Sequence, residues 1–205
     1  VWVSQSGLAA APTETIGPHL WEAGGAQPQV GFSRDMRMVL FLRRNPWPNS
    51  YNWFIAKLDL EGRFEVAPQR LSELLPLYRD HAVATLGANA LAIWPWPGGD
   101  GGLVPNLYSS RVYPEEGILV AESPTGLLQN MTGDWQPALI PAADQTYRMA
   151  IQSQASEDRS AQVYLMSLSS NGVPMSPLRR VTSASWSSTH PELAALTNGI
   201  AIAYQ

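Results

Sequence analysis

Four positions recur at one spacing and carry side chains able to bind a ligand. Gln27, His81, Gln136 and His190 are separated by 54, 55 and 54 residues. Amide and imidazole groups both donate and accept hydrogen bonds, and imidazole also ligates metals and moves protons near neutral pH. If the four converge, they form a site for a small ligand, an anion or a metal at one place. Two histidines without carboxylates are a poor transition-metal set, so no metal ligand is assigned. The plainer alternative is that each side chain hydrogen-bonds backbone where a strand begins. A second series is aromatic: Trp21, Trp47, Tyr78, Trp96, Trp135 and Trp186. Such rings offer rigid contact area to a protein partner or a stacking face to a sugar, and they equally well fill wedges inside a fold. Trp47 and Trp96, set between prolines in Pro46-Trp47-Pro48 and Pro95-Trp96-Pro97, are expected in exposed loops.

Enzyme motifs are absent. The sequence holds no Gly-x-Ser-x-Gly elbow, His-Glu-x-x-His pair, Walker loop or dinucleotide fingerprint. The run Gly98-Gly99-Asp100-Gly101-Gly102 follows Trp-Pro instead of opening a helix, so it lacks the helix end that makes a phosphate loop work. Asp80 adjoins His81, but no serine or cysteine is placed as a nucleophile for them. Asp59 and Glu61 lack the ligand spacing of a calcium loop. On these grounds no enzyme activity and no cofactor are expected.

Composition narrows the classes further. A hydrophobic content of 45% with 15% charged residues describes a folded globular chain. The net charge of −4 provides no basic field, so nucleic acid is not an expected partner. No cysteine is present, which excludes disulfides and thiolate metal sites. The longest apolar runs fall far short of the roughly 20 residues that span a bilayer, so no transmembrane segment is expected. The opening at Val1 shows no basic-then-apolar leader and fits a processed form. That leaves the compartment open, with a periplasmic or secreted location preferred.

What must position these residues is a repeat. Units open at Pro28, Ala82, Pro137 and Pro191; turn glycines fall at Gly62, Gly117 and Gly172; and a small residue, a proline and an aliphatic residue recur in phase with both series. Within a unit the apolar runs are short, rich in Val, Ile, Leu, Tyr and Trp, and bounded by turn residues, as strands are. The run Met38-Val39-Leu40-Phe41-Leu42 is apolar throughout, which predicts a strand covered on both faces. First strands such as Ala82-Val83-Ala84 are small-sided and suit a crowded axis. Hairpin turns are predicted at Glu61-Gly62, Glu116-Gly117 and Asn171-Gly172.

The pattern resembles β-propeller blade repeats, without the Trp-Asp dipeptide of WD40 repeats or the Gly-Gly pair of kelch repeats. Residues 1–28 align with 163–191 and residues 191–205 with 137–151, the two halves of a unit, which with three internal units predicts an all-β, four-bladed propeller in a single domain. Its blades would span about 28–81, 82–136, 137–190, and 191–205 joined to 1–27, so that one blade is shared by the two ends and no sheet edge stays open. The structural alternative is a set of consecutive blades from a larger ring. In either case the loops and blade links gather on one face, with the aromatic series, and the Gln/His series surrounds one mouth of the channel. The leading functional expectation is a non-enzymatic binding or assembly module, an accessory subunit or scaffold that docks on a protein partner by its aromatic loop face. A lectin-like glycan-binding propeller is the first alternative. An enzyme or ion site at the channel is the second.

Overall fold

The computed structural model describes residues 25–33, 36–45, 50–71, 81–97, 105–128, 136–153, 160–183 and 187–205. Fifteen strands form four antiparallel sheets, with no helix among the described residues. Sheet I contains β1 (Gly25–Phe32), β2 (Arg37–Asn45), β3 (Ser50–Lys57) and β4 (Gln69–Arg70) in that order. Sheet II runs β5 (Ala82–Leu86), β6 (Asn89–Pro97), β7 (Pro105–Glu115), β8 (Ile118–Ala121), with β9 (Thr125–Leu128) also paired to β7. Sheet III is β10 (Ala138–Pro141), β11 (Tyr147–Ser153), β12 (Gln162–Leu168) and β13 (Arg179–Arg180). Sheet IV has two strands, β14 (Glu192–Leu196) and β15 (Gly199–Ala203). Sheet IV is the 191–205 half of the blade expected to join the two ends of the chain; residues 1–24 of its other half lie outside the described residues.

The sheets stack in succession through their first strands: β1 against β5, β5 against β10, β10 against β14. Strand side chains alternate between faces, so each middle sheet serves two cores. Val83, Ala90, Ala92 and Trp94 of sheet II meet Met38, Leu40, Trp53 and Ile55 of sheet I. On the opposite face Ala82, Ala84, Leu91 and Ile93 meet Leu139, Tyr147, Met149 and Ile151 of sheet III. Two-sided burial is why these strands read as unbroken apolar runs. The first strands are small-sided because they crowd: a Cβ on Gly31 of β1 would lie 2.9 Å from Ala84 Cα and 3.0 Å from the Val83 carbonyl oxygen.

Only one of the three predicted hairpin turns is a two-residue turn. Glu116 and Gly117 both take left-handed backbone, φ 49° and 82°, between β7 and β8. At the other two, the strands close on bridges Leu58↔Phe64 and Leu168↔Pro174. There Gly62 N–H and Gly172 N–H donate to the Asp59 and Ser169 carbonyls before the glycine turns left-handed, a type I turn with a glycine bulge. The Asn171-Gly172 pair alone does not distinguish the two geometries.

Pro95-Trp96-Pro97 is strand and not loop. β6 continues to Pro97, opposite Leu107, Asn106 and Pro105 of β7. Its pairing with β5 ends at Ile93, so among the described residues this stretch pairs on one side only, where proline's missing N–H is tolerated.

Tyr147 is fully buried between sheets II and III, and its hydroxyl has no hydrogen-bond partner among the described residues. Burial raises the phenol's pKa above its ordinary value, against a smaller opposing pull from the Arg111 charge. The fold therefore disfavours ionisation. Below the unfolded phenol's pKa of about 10 both states are protonated, and stability is complete. As pH rises beyond it, the unfolded state loses its proton first and stability falls. Tyr147→Phe is expected to equal or exceed the parent by about 1 kcal/mol at pH 7, since it removes an unsatisfied buried hydroxyl. It should also lose less stability than the parent between pH 10 and 11. Urea unfolding of both proteins across that window reads the difference, and parallel pH slopes would count against the burial argument.

Candidate functional site

Antiparallel order fixes which end of each sheet can hold a site. The start of each first strand, the end of the second and the start of the third share one end, which is also where the links between sheets arrive. At that end of sheets III and IV, two of the four repeated positions meet. Gln136 Oε1 accepts from the His190 backbone N–H at 3.1 Å, and Gln136 Nε2 lies 3.2 Å from His190 Nε2. Because the amide oxygen is taken by backbone, the amide N–H faces the ring and donates to Nε2. That places the ring proton on Nδ1, 3.1 Å from the Thr189 hydroxyl. Both residues hold left-handed backbone, φ 30° at Gln136 and 52° at His190, a conformation that costs a non-glycine residue about 1 kcal/mol or more. Gln136 is half-buried and His190 exposed.

Beneath the pair sits a buried polar network that sequence reasoning missed. Gln152, near the end of β11, accepts from the His190 N–H at 3.2 Å. Thr182 Oγ1 donates to Gln162 Oε1 at 2.8 Å and accepts from Val163 N–H at 3.0 Å. Gln162 Nε2 donates to Ser160 Oγ at 2.9 Å, and Ser188 N–H donates to the Ala161 carbonyl at 2.7 Å. Gln152, Gln162, Thr182 and Ser188 are all buried. A satisfied network of this kind locks its members, and here it locks the segment that presents His190. One signal was available in the sequence. Gln152 and Gln162 flank the same loop at the ends of otherwise apolar runs, and a lone amide there must be paired if buried.

His81 does not join the pair, and of Gln27 only the backbone is described. His81 is buried, its ring 4.2 Å from that of Trp53 at 42°, in the wedge between sheets I and II. The neighbouring sheet supplies an aromatic surface there, so the ring turns into the core. Gln27 lies within β1 where the register with β2 shifts between Ala26 and Gln29. Of the aromatic series, Trp21, Trp47, Tyr78, Trp135 and Trp186 lie outside the described residues, and Trp96 belongs to β6.

The described carboxylates are mostly engaged at the other end or on outer strands. Asp59 and Glu61 pair with Arg63 at 2.8 and 3.1 Å, Glu65 with Lys57 at 2.7 Å, and Glu122 with Arg111 at 3.1 Å. Asp144 is held by the Thr146 hydroxyl and, at 2.7 Å, by Arg148, which together keep its carboxyl below the usual range. These solvent-screened pairs contribute little stability. Among the described residues no group of three or more His, Cys, Asp or Glu could hold a metal. At the Gln136–His190 pair an exposed imidazole and a half-buried amide thus engage each other, with Thr189 and Gln152 as their further partners.

Solved structures share this fold. An α-L-arabinofuranosidase from Lactobacillus brevis matches at TM-score 0.50 and 10% identity, over 86% of this chain and 63% of that one. A GH43_1 enzyme from Xanthomonas citri, solved with xylotriose, matches at TM-score 0.54 and 13% identity, over 95% and 68%. A subtype N11 neuraminidase-like protein of A/flat-faced bat/Peru/033/2010 (H18N11) matches at TM-score 0.57 and 14% identity, over 93% and 46%. The fold is a β-propeller. No protein-family model matches the sequence, and no curated protein matches it. The chain spans 63% of the arabinofuranosidase and 46% of the neuraminidase-like protein.

These likenesses correct the leading functional expectation. The propellers of this shape include an α-L-arabinofuranosidase and a GH43_1 enzyme, so the non-enzymatic assembly, scaffold or accessory-subunit reading does not stand, and neither does the exclusion of an enzyme. The error has a physical cause. On a propeller, groups from different blade links converge, tens of residues apart in sequence, so a search for contiguous motifs finds nothing whether or not a site exists.

Proposed function

We propose that this chain is part of a glycoside-cleaving propeller that receives a pentose-containing oligosaccharide where β10 and β14 begin. The observation that carries the reading is the Gln136–His190 pair: an exposed imidazole and a half-buried amide, held by buried Gln152, on strained backbone at the link end of the sheets. Gln136 and His190 bind sugar hydroxyls, which need donors and acceptors together. The likeness in fold to an arabinofuranosidase and to an enzyme solved with xylotriose supports the substrate class.

Glycoside hydrolysis needs two carboxyl groups. One protonates the leaving glycosidic oxygen as the bond to the anomeric carbon breaks. The other either takes a proton from the attacking water or first bonds the anomeric carbon itself. Asp80 and Asp134 stand 54 residues apart, one position before His81 and two before Gln136, and they are assigned these roles from sequence position alone. Trp135, between Asp134 and Gln136, supplies the stacking face.

The test is release of reducing ends from arabino- and xylo-oligosaccharides. Asp80→Asn and Asp134→Asn should each lower kcat by about 10³-fold, within the span general acid–base catalysis contributes. His190→Ala should raise KM by about 5–10-fold, the worth of one or two lost hydrogen bonds, with kcat much less affected. Hydrolysis that survives both aspartate substitutions would sink the assignment. Absence of both turnover and calorimetric binding across the panel would sink the reading.

A further inference from the structure

The contact between Gln136 and His190 fits one protonation state of the ring. Gln136 Oε1 accepts from the His190 N–H at 3.1 Å, while Gln136 Nε2 lies 3.2 Å from His190 Nε2. An amide nitrogen only donates, so the ring Nε2 must be bare, with the ring proton on Nδ1 beside the Thr189 hydroxyl at 3.1 Å. A second proton on the ring sets two donors face to face. Turning the amide over does not mend this, because its oxygen then meets the imidazolium while its NH2 group is set against the His190 N–H. With the ring protonated, Gln136 keeps at most one of its two bonds.

The backbone beneath is held independently of that contact. The His190 N–H has a second acceptor, Oε1 of buried Gln152 at 3.2 Å, and so keeps a partner when Gln136 lets go. Thr189, one residue before, exchanges both backbone hydrogen bonds with Gln205 at 2.8 Å. The side chains can therefore part while the segment stays. Among the described residues, the groups that contact the ring or its backbone N–H are uncharged: Gln136 at the start of β10, Gln152 near the end of β11 and Thr189 in the link. Glu192, two residues on in β14, is exposed. Arg148 of β11 is bound to Asp144, and Arg180 of β13 donates from Nε to the Thr182 carbonyl. Asp134, two residues before Gln136, lies outside the described residues.

We infer that Gln136 and His190 form a proton-operated latch, closed on the neutral imidazole and opened when the ring takes up a second proton. Closed, the two side chains satisfy each other. Open, they return an imidazolium N–H and the groups of the amide to a ligand. The latch lies in the site of the glycoside reading, and its bearing on sugars rests on that reading: oligosaccharide hydroxyls, which need donors and acceptors together, should bind the open pair better. The latch itself is a property of the free chain, so the two can fail separately.

Nuclear magnetic resonance of the 15N-labelled chain reads the latch without any sugar. While the His190 ring is neutral, its proton should be found on Nδ1. In Gln136→Met, which keeps the length of the side chain but cannot donate, the ring should revert to the Nε2–H form that free histidine prefers. On acidification the Gln136 side-chain NH2 and the His190 backbone N–H should shift along the same curve as the ring. In Gln136→Met that N–H, already left to Gln152, should move much less. Calorimetry with xylotriose on either side of the transition should show a Kd about 5-fold lower on the acid side, the worth of about one hydrogen bond. A neutral parent ring protonated on Nε2, the same tautomer in both proteins, Gln136 and His190 amides that stay put while the ring titrates, or equal affinities on the two sides would each overturn the inference. Resonances that titrate as described, with no sugar bound at either pH, would uphold the latch and sink the glycoside reading instead.

Discussion

Trp53→Ala is expected to lower folding stability by about 3–5 kcal/mol, the usual cost of deleting a large aromatic from a core. Trp53 is fully buried on β3, in the wedge where Met38, Leu40 and Ile55 of sheet I meet Val83, Ala92 and Trp94 of sheet II. Its ring also carries that of buried His81, which would be left over a cavity. Since domains hold only about 5–15 kcal/mol in total, this one change should bring unfolding within reach of mild denaturant. Urea titration reads it as a lowered midpoint at nearly constant slope. Trp53→Phe, which refills most of the cavity, should recover a large part of the loss. A loss below about 1 kcal/mol for the alanine variant would mean that the wedge collapses around the gap, and that Trp53 is not the keystone between these sheets.

Gly31→Ala should also be severe, for a different reason. An added methyl carbon would approach Ala84 Cα to 2.9 Å, the Val83 carbonyl oxygen to 3.0 Å and the Ala84 carbonyl carbon to 3.2 Å. All three are backbone atoms, so no side chain can turn aside. β1 must move from β5, and sheets I and II open at the point where the first strands crowd most. Overpacking of this kind costs about 1–3 kcal/mol, and the upper end applies because the obstacle is main chain. Gly199→Ala is the control: a strand glycine whose added carbon meets nothing within 4 Å. It should change stability by no more than about 0.5 kcal/mol. Thermal unfolding of the two variants side by side reads the contrast. Equal stabilities would show that the first strands stand further apart than described.

Each prediction depends on what one sheet does to the next, and that is also where sequence reading was weakest. His81 and His190 occupy equivalent places in the repeat and looked interchangeable. His81 meets the indole of Trp53 and is buried; His190 meets Gln136 and Gln152 and stays exposed. The same holds for the alanines of sheet IV, whose pattern reads as a core strand while Ala194, Ala201 and Ala203 are exposed.

What the sequence alone determined is local: an all-β chain, short strands at a period of about 54 residues, small residues on the first strand of a unit, and glycines at left-handed turn positions such as Gly62, Gly117 and Gly172. Strand alternation and turn chemistry act over a few residues, so a few residues reveal them. Only the tertiary structure decided that Gln136 and His190 touch while His81 does not join them, that two buried glutamines and a threonine anchor the segment beneath them, and that Ala194, Ala201 and Ala203 of sheet IV are exposed. Those outcomes are set by groups 20 to 54 positions apart, brought together by the stacking of sheets, and no local pattern records which neighbour a repeated position will find.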